Sequence, residues 1–391
     1  MISDTYCPIP FSEMFVRVDG SVYICCDTWE VVGNIREQSL NDIFNSAYLN
    51  EIRERISSGG RPNICNKCWV REDSIGSSFR DSHNQDGSIQ MLSGGKYKNV
   101  EQFVKHASTR IRKVKVDFSN ACNMKCPMCN LDRSTGWLKE HKDVMDIHPD
   151  LIPITKEKYQ EVTDQIPISF IDDNWEHFIN SNLIDLSGGE PFYMPQVKYL
   201  LDRLVEERYN GTLKIITNAS LVEPFVDQLT KLNTSLVISC DGYGDLYPIA
   251  RPSVGKTITW QMFESNIKIL RQNNIKHSFC YVPQLMNIHN IDDWLDWTYA
   301  HYPHTGRLGL PLYKPNHLRI EHYPDMDYKM KLAERLQKRD WGNFDPHNGS
   351  ALIEQLKMPA VKKHYDTFLT YMARLDELRN TNFMAIWAEN T

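Results

Sequence analysis

The 391-residue sequence contains no apolar run near the roughly 18 residues that a membrane-crossing helix needs. Its first residues, Met1-Ile-Ser-Asp-Thr-Tyr-Cys7, lack the charged and apolar segments of a secretory leader, so a cytoplasmic protein with no membrane partner is expected. Basic charge is not in excess: 44 Lys and Arg face 50 Asp and Glu, a net charge of −6, which argues against a cationic field for nucleic acid. No phosphate-cradling P-loop occurs, no Ser, His and Asp stand at nucleophilic spacing, and there is no internal repeat or low-complexity array. A hydrophobic content of 41% with 24% charged residues is ordinary for a globular chain long enough for two or three units.

What the sequence does have is cysteine. Ten are present, and seven of them fall into groups with metal-ligand spacing, which in a reducing compartment points to metal or redox chemistry rather than disulfides. The densest group, Cys122, Cys126 and Cys129, forms a C-x3-C-x2-C triplet directly after Val114–Phe118, whose alternation predicts a strand. Three thiolates on one short loop can share a metal centre and leave one coordination position open, whereas a structural zinc site wants four ligands. A zinc knuckle or three buried cysteines is the plainer alternative.

A second group comprises Cys7, Cys25, Cys65 and Cys68. Alternation over residues 15–25 around Asp19-Gly20 predicts a hairpin with a two-residue turn, carrying Cys25 at the end of its return strand. Helical spacing from Leu40 and from Tyr48, with Ser39 as an N-cap, brings Cys65 and Cys68 back toward it. Four thiolates can ligate an iron–sulfur cluster or a zinc ion equally well. Cys26 is left over and is expected to pack. Residues 80–98, rich in Ser, Gly, Asn and Asp, read as a linker or exposed loop, and Val100–His106 as a short helix.

From residue 112, strand-like and helix-like stretches alternate, which implies parallel strands with crossover helices. The expected strands are Arg112–Ser119, Leu183–Gly188, Leu213–Asn218, Ser235–Asp241, Lys276–Val282 and Arg307–Tyr313; the expected helices are Gln196–Arg208, Glu223–Leu232 and Trp260–Gln272. Ligands of such folds sit at the carboxyl ends of the strands, and the polar motifs gather there. They are Gly188-Gly189-Glu190, Asn218, Ser239 with Asp241, and Arg251. Ser239 and Asp241, two apart, share one side of a strand, while Cys240 points away into the core; the register of Cys280 is open. Beyond residue 320, helical patterns at Tyr328–Arg339 and Lys362–Arg379 predict a tail that packs across the open side of the sheet fold or caps its entrance.

These residues as a set resemble the radical SAM superfamily, over roughly residues 1–320. The resemblance implies that Cys122, Cys126 and Cys129 hold a [4Fe-4S] cluster whose free iron chelates S-adenosylmethionine, which one electron cleaves to methionine and a 5′-deoxyadenosyl radical that abstracts a hydrogen atom. Gly188, Gly189 and Glu190 match the turn that receives the methionine ammonium. Asn218, Ser239 and Asp241 would line the cofactor, Arg251 would clamp the methionine carboxylate, and Met128, where an aromatic residue is usual, would cover adenine. The spacing of Cys7, Cys25, Cys65 and Cys68 looks like the auxiliary modules called Twitch or SPASM, nearer the shorter Twitch form, and implies a second [4Fe-4S] cluster used for electron transfer. Such modules usually follow the barrel; this one precedes it.

The expected fold is therefore α/β: a partial (β/α)6 barrel at 112–320, an N-terminal β-hairpin and helix auxiliary domain at 1–80, a linker at 81–111 and a helical C-terminal extension at 321–391. A peptide or small-molecule substrate and an electron donor such as flavodoxin or ferredoxin are the implied partners. Oxidation, epimerisation and bond formation share the same first steps and stay open. The alternative from a different class is a non-catalytic iron–sulfur or zinc-binding interaction module, which explains Cys7, Cys25, Cys65 and Cys68 but not Glu190, Asp241 and Arg251 at successive strand ends.

Overall fold

The computed structural model describes residues 3–75, 78–147, 155–303, 305–339 and 346–390. They form two compact units, the first made of Met1–Asn120, Asp164–Ile216 and Phe225–Ser235, the second of Ala121–Thr163, Thr217–Pro224 and Leu236–Thr391. The six strands expected from residue 112 onward are present as β4 (Lys113–Asp117), β5 (Leu183–Ser187), β6 (Thr212–Thr217), β7 (Asn233–Ser239), β8 (Lys276–Tyr281) and β9 (Gly306–Leu308), with helices between them. They are preceded by β1 (Glu13–Val16), β2 (Ser21–Tyr23) and β3 (Gly33–Asn34). This is the expected α/β fold, a partial (β/α)6 barrel with an N-terminal hairpin and helices and a helical C-terminal region.

In the first unit the strand order is β3-β2-β1-β4-β5-β6. β1 pairs antiparallel with β2 but parallel with β4, Met14 beside Val114 and Val16 beside Val116, and β4, β5 and β6 continue in parallel. Pairing fixes the faces, because residues side by side in a parallel sheet point the same way. One face carries Met14, Val16, Val114, Val116, Ile184, Leu186, Leu213 and Ile215, all fully buried. At about 1.5–3 kcal/mol per large apolar side chain removed from water, this row is the main stabilising layer of the unit. The opposite face carries Glu13, Lys113, Lys115, Asp185 and Lys214 together with the buried side chains of Phe15 and Leu183.

The hairpin turn is one residue longer than expected. Arg17 N donates to Ser21 O and Gly20 N to Arg17 O, giving a three-residue loop whose last position, Gly20, has φ +82°. A side chain there would meet Asn34 Oδ1 at 2.6 Å, so glycine serves both the left-handed backbone and the close approach.

The stretch read as a linker or exposed loop is instead folded. Phe79–Asn84 starts with a reciprocal cap between Ser78 and Asp81, Asp86–Ser93 ends on left-handed Gly94, and Val100–His106 follows as expected. Ile89 and Leu92 pack with Ile9, Tyr97 and Phe103. Three apolar positions in this octamer, Ile89, Met91 and Leu92, do not form a regular stripe, only Ile89 and Leu92 are buried, and their partners lie elsewhere in the chain. Composition alone therefore reads as loop.

In the second unit the end of β7, then β8 and β9, lie in order, with β8 and β9 parallel. β9 is shorter than the strand expected at Arg307–Tyr313. Trp260–Gln272 and Lys362–Arg379 are helices with the expected bounds, Tyr328–Arg339 appears as Met326–Lys338, and Pro346–Leu356 and Phe383–Asn390 are additional.

Candidate functional site

In the second unit the loop that begins at Ala121 carries Cys122, Cys126 and Cys129. The loop is held by its own backbone: Cys129 N donates to Cys126 O at 2.9 Å, Trp137 Nε1 donates to the same carbonyl at 3.1 Å, and Lys125 N donates to Pro252 O at 2.9 Å. Cys126 is buried and the other two thiols are half-buried. A hydrogen bond from the Cys129 thiol, with help from the Arg251 guanidinium, holds the Cys126 thiol down to about 7 against its burial. That same sharing pushes Cys129 well up. Pairs of this kind are soft donors set for a metal centre.

Arg251, expected to clamp a carboxylate near the strand ends, is buried and ion-pairs with Asp241. Burial alone would weaken its charge; Cys126 and Asp241 reverse that and hold it firmly protonated. Its Nε is buried without a hydrogen-bond partner among the described residues. Asp241 Oδ1 accepts from Val282 N at 2.9 Å, and Asn287 Nδ2 donates to the carbonyls of Asp241 and Val282, both at 3.0 Å. Ser239 is the half-buried last residue of β7. Asn218, at the end of β6, donates from Nδ2 to Asn123 Oδ1 at 2.9 Å, and Asn123 in turn donates to Ser220 Oγ at 2.8 Å, which ties this strand end to the cysteine loop.

Met128 stands half-buried in that loop, with Gln284 Nε2 at 3.2 Å from its sulfur. Gln284 is fully buried and its Oε1 lacks a partner among the described residues. Cys240 lies in the core as expected, and its backbone N donates to Cys280 O across β7 and β8. Cys280 is half-buried.

In the first unit Gly188-Gly189-Glu190 follows β5 and presses on the backbone after β4. Gly188 has φ +111°, a Cβ there would sit 2.8 Å from Ser119 O, and Gly189 N donates to that same oxygen at 3.0 Å. Glu190 is buried and caps the short turn behind it by accepting from Phe192 N at 3.2 Å, and Ser187, the last residue of β5, donates from Oγ to Asp117 Oδ1 at 2.5 Å.

Cys7, Cys25, Cys65 and Cys68 line one cavity of the first unit with Ile9, Ile24 and Arg80. Burial pushes the Cys7 thiol up, with Cys65 and Cys68 adding to it, and pushes Cys65 up to about 12. Among the described residues no three His, Cys, Asp or Glu are spaced to hold a single metal ion. Four soft donors around one largely apolar cavity, with Arg80 beside Cys7 and Cys65 to offset anionic charge, fit an iron–sulfur group. Cys26, expected to pack, is exposed, because β2 has ended and the chain turns outward at Asp27.

Gln284 and Asn287, expected after the strand at Lys276–Val282 to meet substrate or adenine, stand against Met128 and Asp241; two features escaped the sequence reading, a charged stripe on one sheet face and the hold of the C-terminal helix on the cysteine loop. Tyr371 OH donates to Pro127 O at 2.9 Å and Arg379 Nη2 to Lys125 O at 3.0 Å. Only the stripe leaves a local signal, in the alternation Lys113-Val-Lys-Val-Asp117.

The family profile described as the radical SAM superfamily matches residues 116–298, and that of the SPASM iron–sulfur cluster-binding domain matches residues 7–69. No curated protein sequence matches the chain. Among solved structures, SuiB of Streptococcus suis bound to its precursor peptide SuiA is similar at 14% identity and TM-score 0.39, covering 83% of this chain and 67% of that one. Native anSMEcpe with bound AdoMet and a Cp18Cys peptide is similar at 12% identity and TM-score 0.39, covering 57% of each chain. The methyltransferase TsrM of Kitasatospora setae, with tryptophan and a SAM analogue, has 14% identity and TM-score 0.37 over 59% of this chain and 42% of that one. The chain thus spans less than two thirds of the length of the first of these structures that it matches, the anSMEcpe chains. No helix of the described residues is long and apolar enough to cross a membrane.

Proposed function

We propose that this chain is a radical SAM enzyme with an N-terminal SPASM iron–sulfur domain, that it takes [4Fe-4S] clusters and S-adenosylmethionine as cofactors, and that it abstracts a hydrogen atom from its substrate, a reading supported by the two family profiles that match it. Cys122, Cys126 and Cys129 are the proposed ligands of the cluster that meets S-adenosylmethionine. Cys7, Cys25, Cys65 and Cys68 are those of the auxiliary cluster. When bound, these groups supply one-electron reductive cleavage of the sulfonium and removal of hydrogen from an unactivated carbon.

The observation that carries the reading is the contact of Cys126 and Cys129 beside the buried Arg251–Asp241 pair. Arg251 holds positive charge next to the thiolates and keeps a buried N–H in reserve, which suits a carboxylate. Asp241 orients Arg251, and the Asn287 side chain orients Asp241. In this reading Gly188 lets the backbone approach a ligand closely and Glu190 receives an ammonium. Asn218 and Ser239 line the cofactor, and Met128 offers a thioether to an adenine face.

By analogy with the family we propose a peptide or small molecule as substrate, a donor such as flavodoxin or ferredoxin as reductant, and electron transfer as the role of the auxiliary cluster. The test is iron and sulfide content with electron paramagnetic resonance on anaerobically reconstituted protein, with and without S-adenosylmethionine. About eight irons per chain, falling to about four in a Cys122→Ala/Cys126→Ala/Cys129→Ala variant that no longer responds to the cofactor, is the expected result. Zinc in place of iron, or no response in the wild type, overturns the proposal. Unchanged turnover in Cys65→Ala would remove the electron-transfer role.

A further inference from the structure

One face of the first unit's sheet carries a stripe of charge. Lys113 Nζ lies 3.0 Å from Glu13 Oε2 and 3.5 Å from Asp185 Oδ2, while Lys115 and Lys214 flank that same Asp185 oxygen at 3.9 and 3.7 Å. The strand register puts Lys115, Asp185 and Lys214 in one row. Burial decreases along the stripe: the side chains of Glu13 and Asp185 are 1% and 3% exposed, those of Lys113 and Lys115 10% and 12%, and that of Lys214 35%.

Buried charges are expensive, and a stripe that only held strands together would be as stable or more so with apolar side chains. Three lysines meet two carboxylates, and Lys115, Lys214 and Lys113 hold the Asp185 carboxyl below its usual range although burial alone would raise it. Lys115 and Lys214 make no hydrogen bond among the described residues; both lie beyond hydrogen-bond distance of Asp185, and Lys115 Nζ also lies 5.2 Å from the centre of the Phe15 ring beside it. An ammonium has three protons to donate. Glu13 Oε1 and Asp185 Oδ1 are buried acceptors with no partner among the described residues.

The stripe's position is informative. One step along the same face stand Asp117 and Ser187, directly before Gly188-Gly189-Glu190. At its other end Cys26, next to Cys25, feels Glu13, Lys115 and Lys113. The stripe therefore runs between the glycine turn and the N-terminal cysteine module, and neither of them uses it.

We propose that this stripe is the polar anchor for the substrate: Lys115 and Lys214 bind an anionic oxygen group, carboxylate or phosphate, and the free oxygens of Glu13 and Asp185 accept N–H or O–H groups beside it. This deepens the reading of the chain as an S-adenosylmethionine-cleaving enzyme and rests on it. The class of substrate is a molecule or peptide segment with an anion next to hydrogen-bond donors.

Residue-resolved acetylation of lysines in the reconstituted holoenzyme tests this, read by mass spectrometry with glutarate or inorganic phosphate as probe and chloride at matched ionic strength as control. Lys115 and Lys214 are expected to react several-fold more slowly with a probe, exposed Lys198 to be unchanged, and Lys214→Gln to lose the protection at Lys115 while Lys214→Arg keeps it. Protection by glutarate alone identifies a carboxylate, by phosphate alone a phosphate. Equal labelling with and without both probes, or full protection in Lys214→Gln, overturns the site. Cleavage of S-adenosylmethionine by the same samples is scored separately, so loss of that activity with intact protection counts against the radical reading and not against the anchor.

Discussion

Arg251 and Asp241, ten residues apart in the chain, form an ion pair in the interior of the second unit, where they are 9% and 1% exposed. The pair stands against Cys126 on one side and is fixed by the backbone of Val282 and the Asn287 side chain on the other. Its value is orientation rather than net stability, since two charges taken from water recover little beyond their desolvation cost.

Removing one partner exposes that distinction. Asp241→Leu leaves a guanidinium buried and unpaired, and urea titration should show a loss of about 3–5 kcal/mol. The double variant Asp241→Leu/Arg251→Met should recover most of that stability and still fail to bind S-adenosylmethionine in equilibrium dialysis. A double variant that binds like the wild type would remove Arg251 from the cofactor site.

Gly188→Ala places a Cβ 2.8 Å from Ser119 O on a backbone with φ +111°. The strain, about 1–3 kcal/mol, falls on the turn that precedes Glu190, so cofactor affinity should drop with a modest fall in melting temperature. Gly87→Ala is the control: that glycine is helical with nothing within 4 Å of a new Cβ, and the change should stabilise by about 0.5–1 kcal/mol.

Gln284→Leu tests the buried amide against Met128. If its free oxygen receives an amino group of the cofactor, losing that bond costs about 1.4 kcal/mol, a tenfold weaker Kd for S-adenosylmethionine with unchanged iron content. An unaltered Kd would make the amide a packing group.

Signals that live within one element were legible in the sequence. Trp260–Gln272 shows an apolar stripe and a Thr259 cap, Lys113–Asp117 alternates, and the Cys122, Cys126, Cys129 loop with the Gly188-Gly189-Glu190 turn is defined by local spacing. What depends on distant partners was not. The parallel pairing of β1 with β4 joins residues about a hundred positions apart, and it is this pairing that sets Glu13 beside Lys113. Helix Asp86–Ser93 owes its fold to Ile9, Tyr97 and Phe103 rather than to its own polar sequence. For Arg251 the resemblance pointed to a carboxylate clamp, but its pairing with Asp241 and its place beside Cys126 left no local signal.

The same logic applies to the C-terminal helix, whose apolar positions predict packing but not its target. Phe368, Tyr371, Met372 and Leu375 bury one side of Lys362–Arg379, so a polar change at its end leaves the helix in place. At that end Arg379 Nε donates to Glu140 Oε2 at 2.9 Å, Nη2 donates to Lys125 O at 3.0 Å, and the guanidinium lies 4.8 Å from the Trp137 ring centre. Trp137 holds the Cys126 carbonyl, so Arg379 braces the cysteine loop through two routes. Arg379→Met should forfeit about 1.5–3 kcal/mol of charged hydrogen bonding and Tyr371→Phe about 0.5–1.5 kcal/mol. Neither change removes a thiol, so the loss should appear as faster bleaching of cluster absorbance under chelator, larger for Arg379→Met than for Tyr371→Phe. Measured in a Cys65→Ala/Cys68→Ala background, the signal comes from the Cys122, Cys126 and Cys129 centre alone. Bleaching at the unmutated rate would show that the loop holds its geometry without the helix.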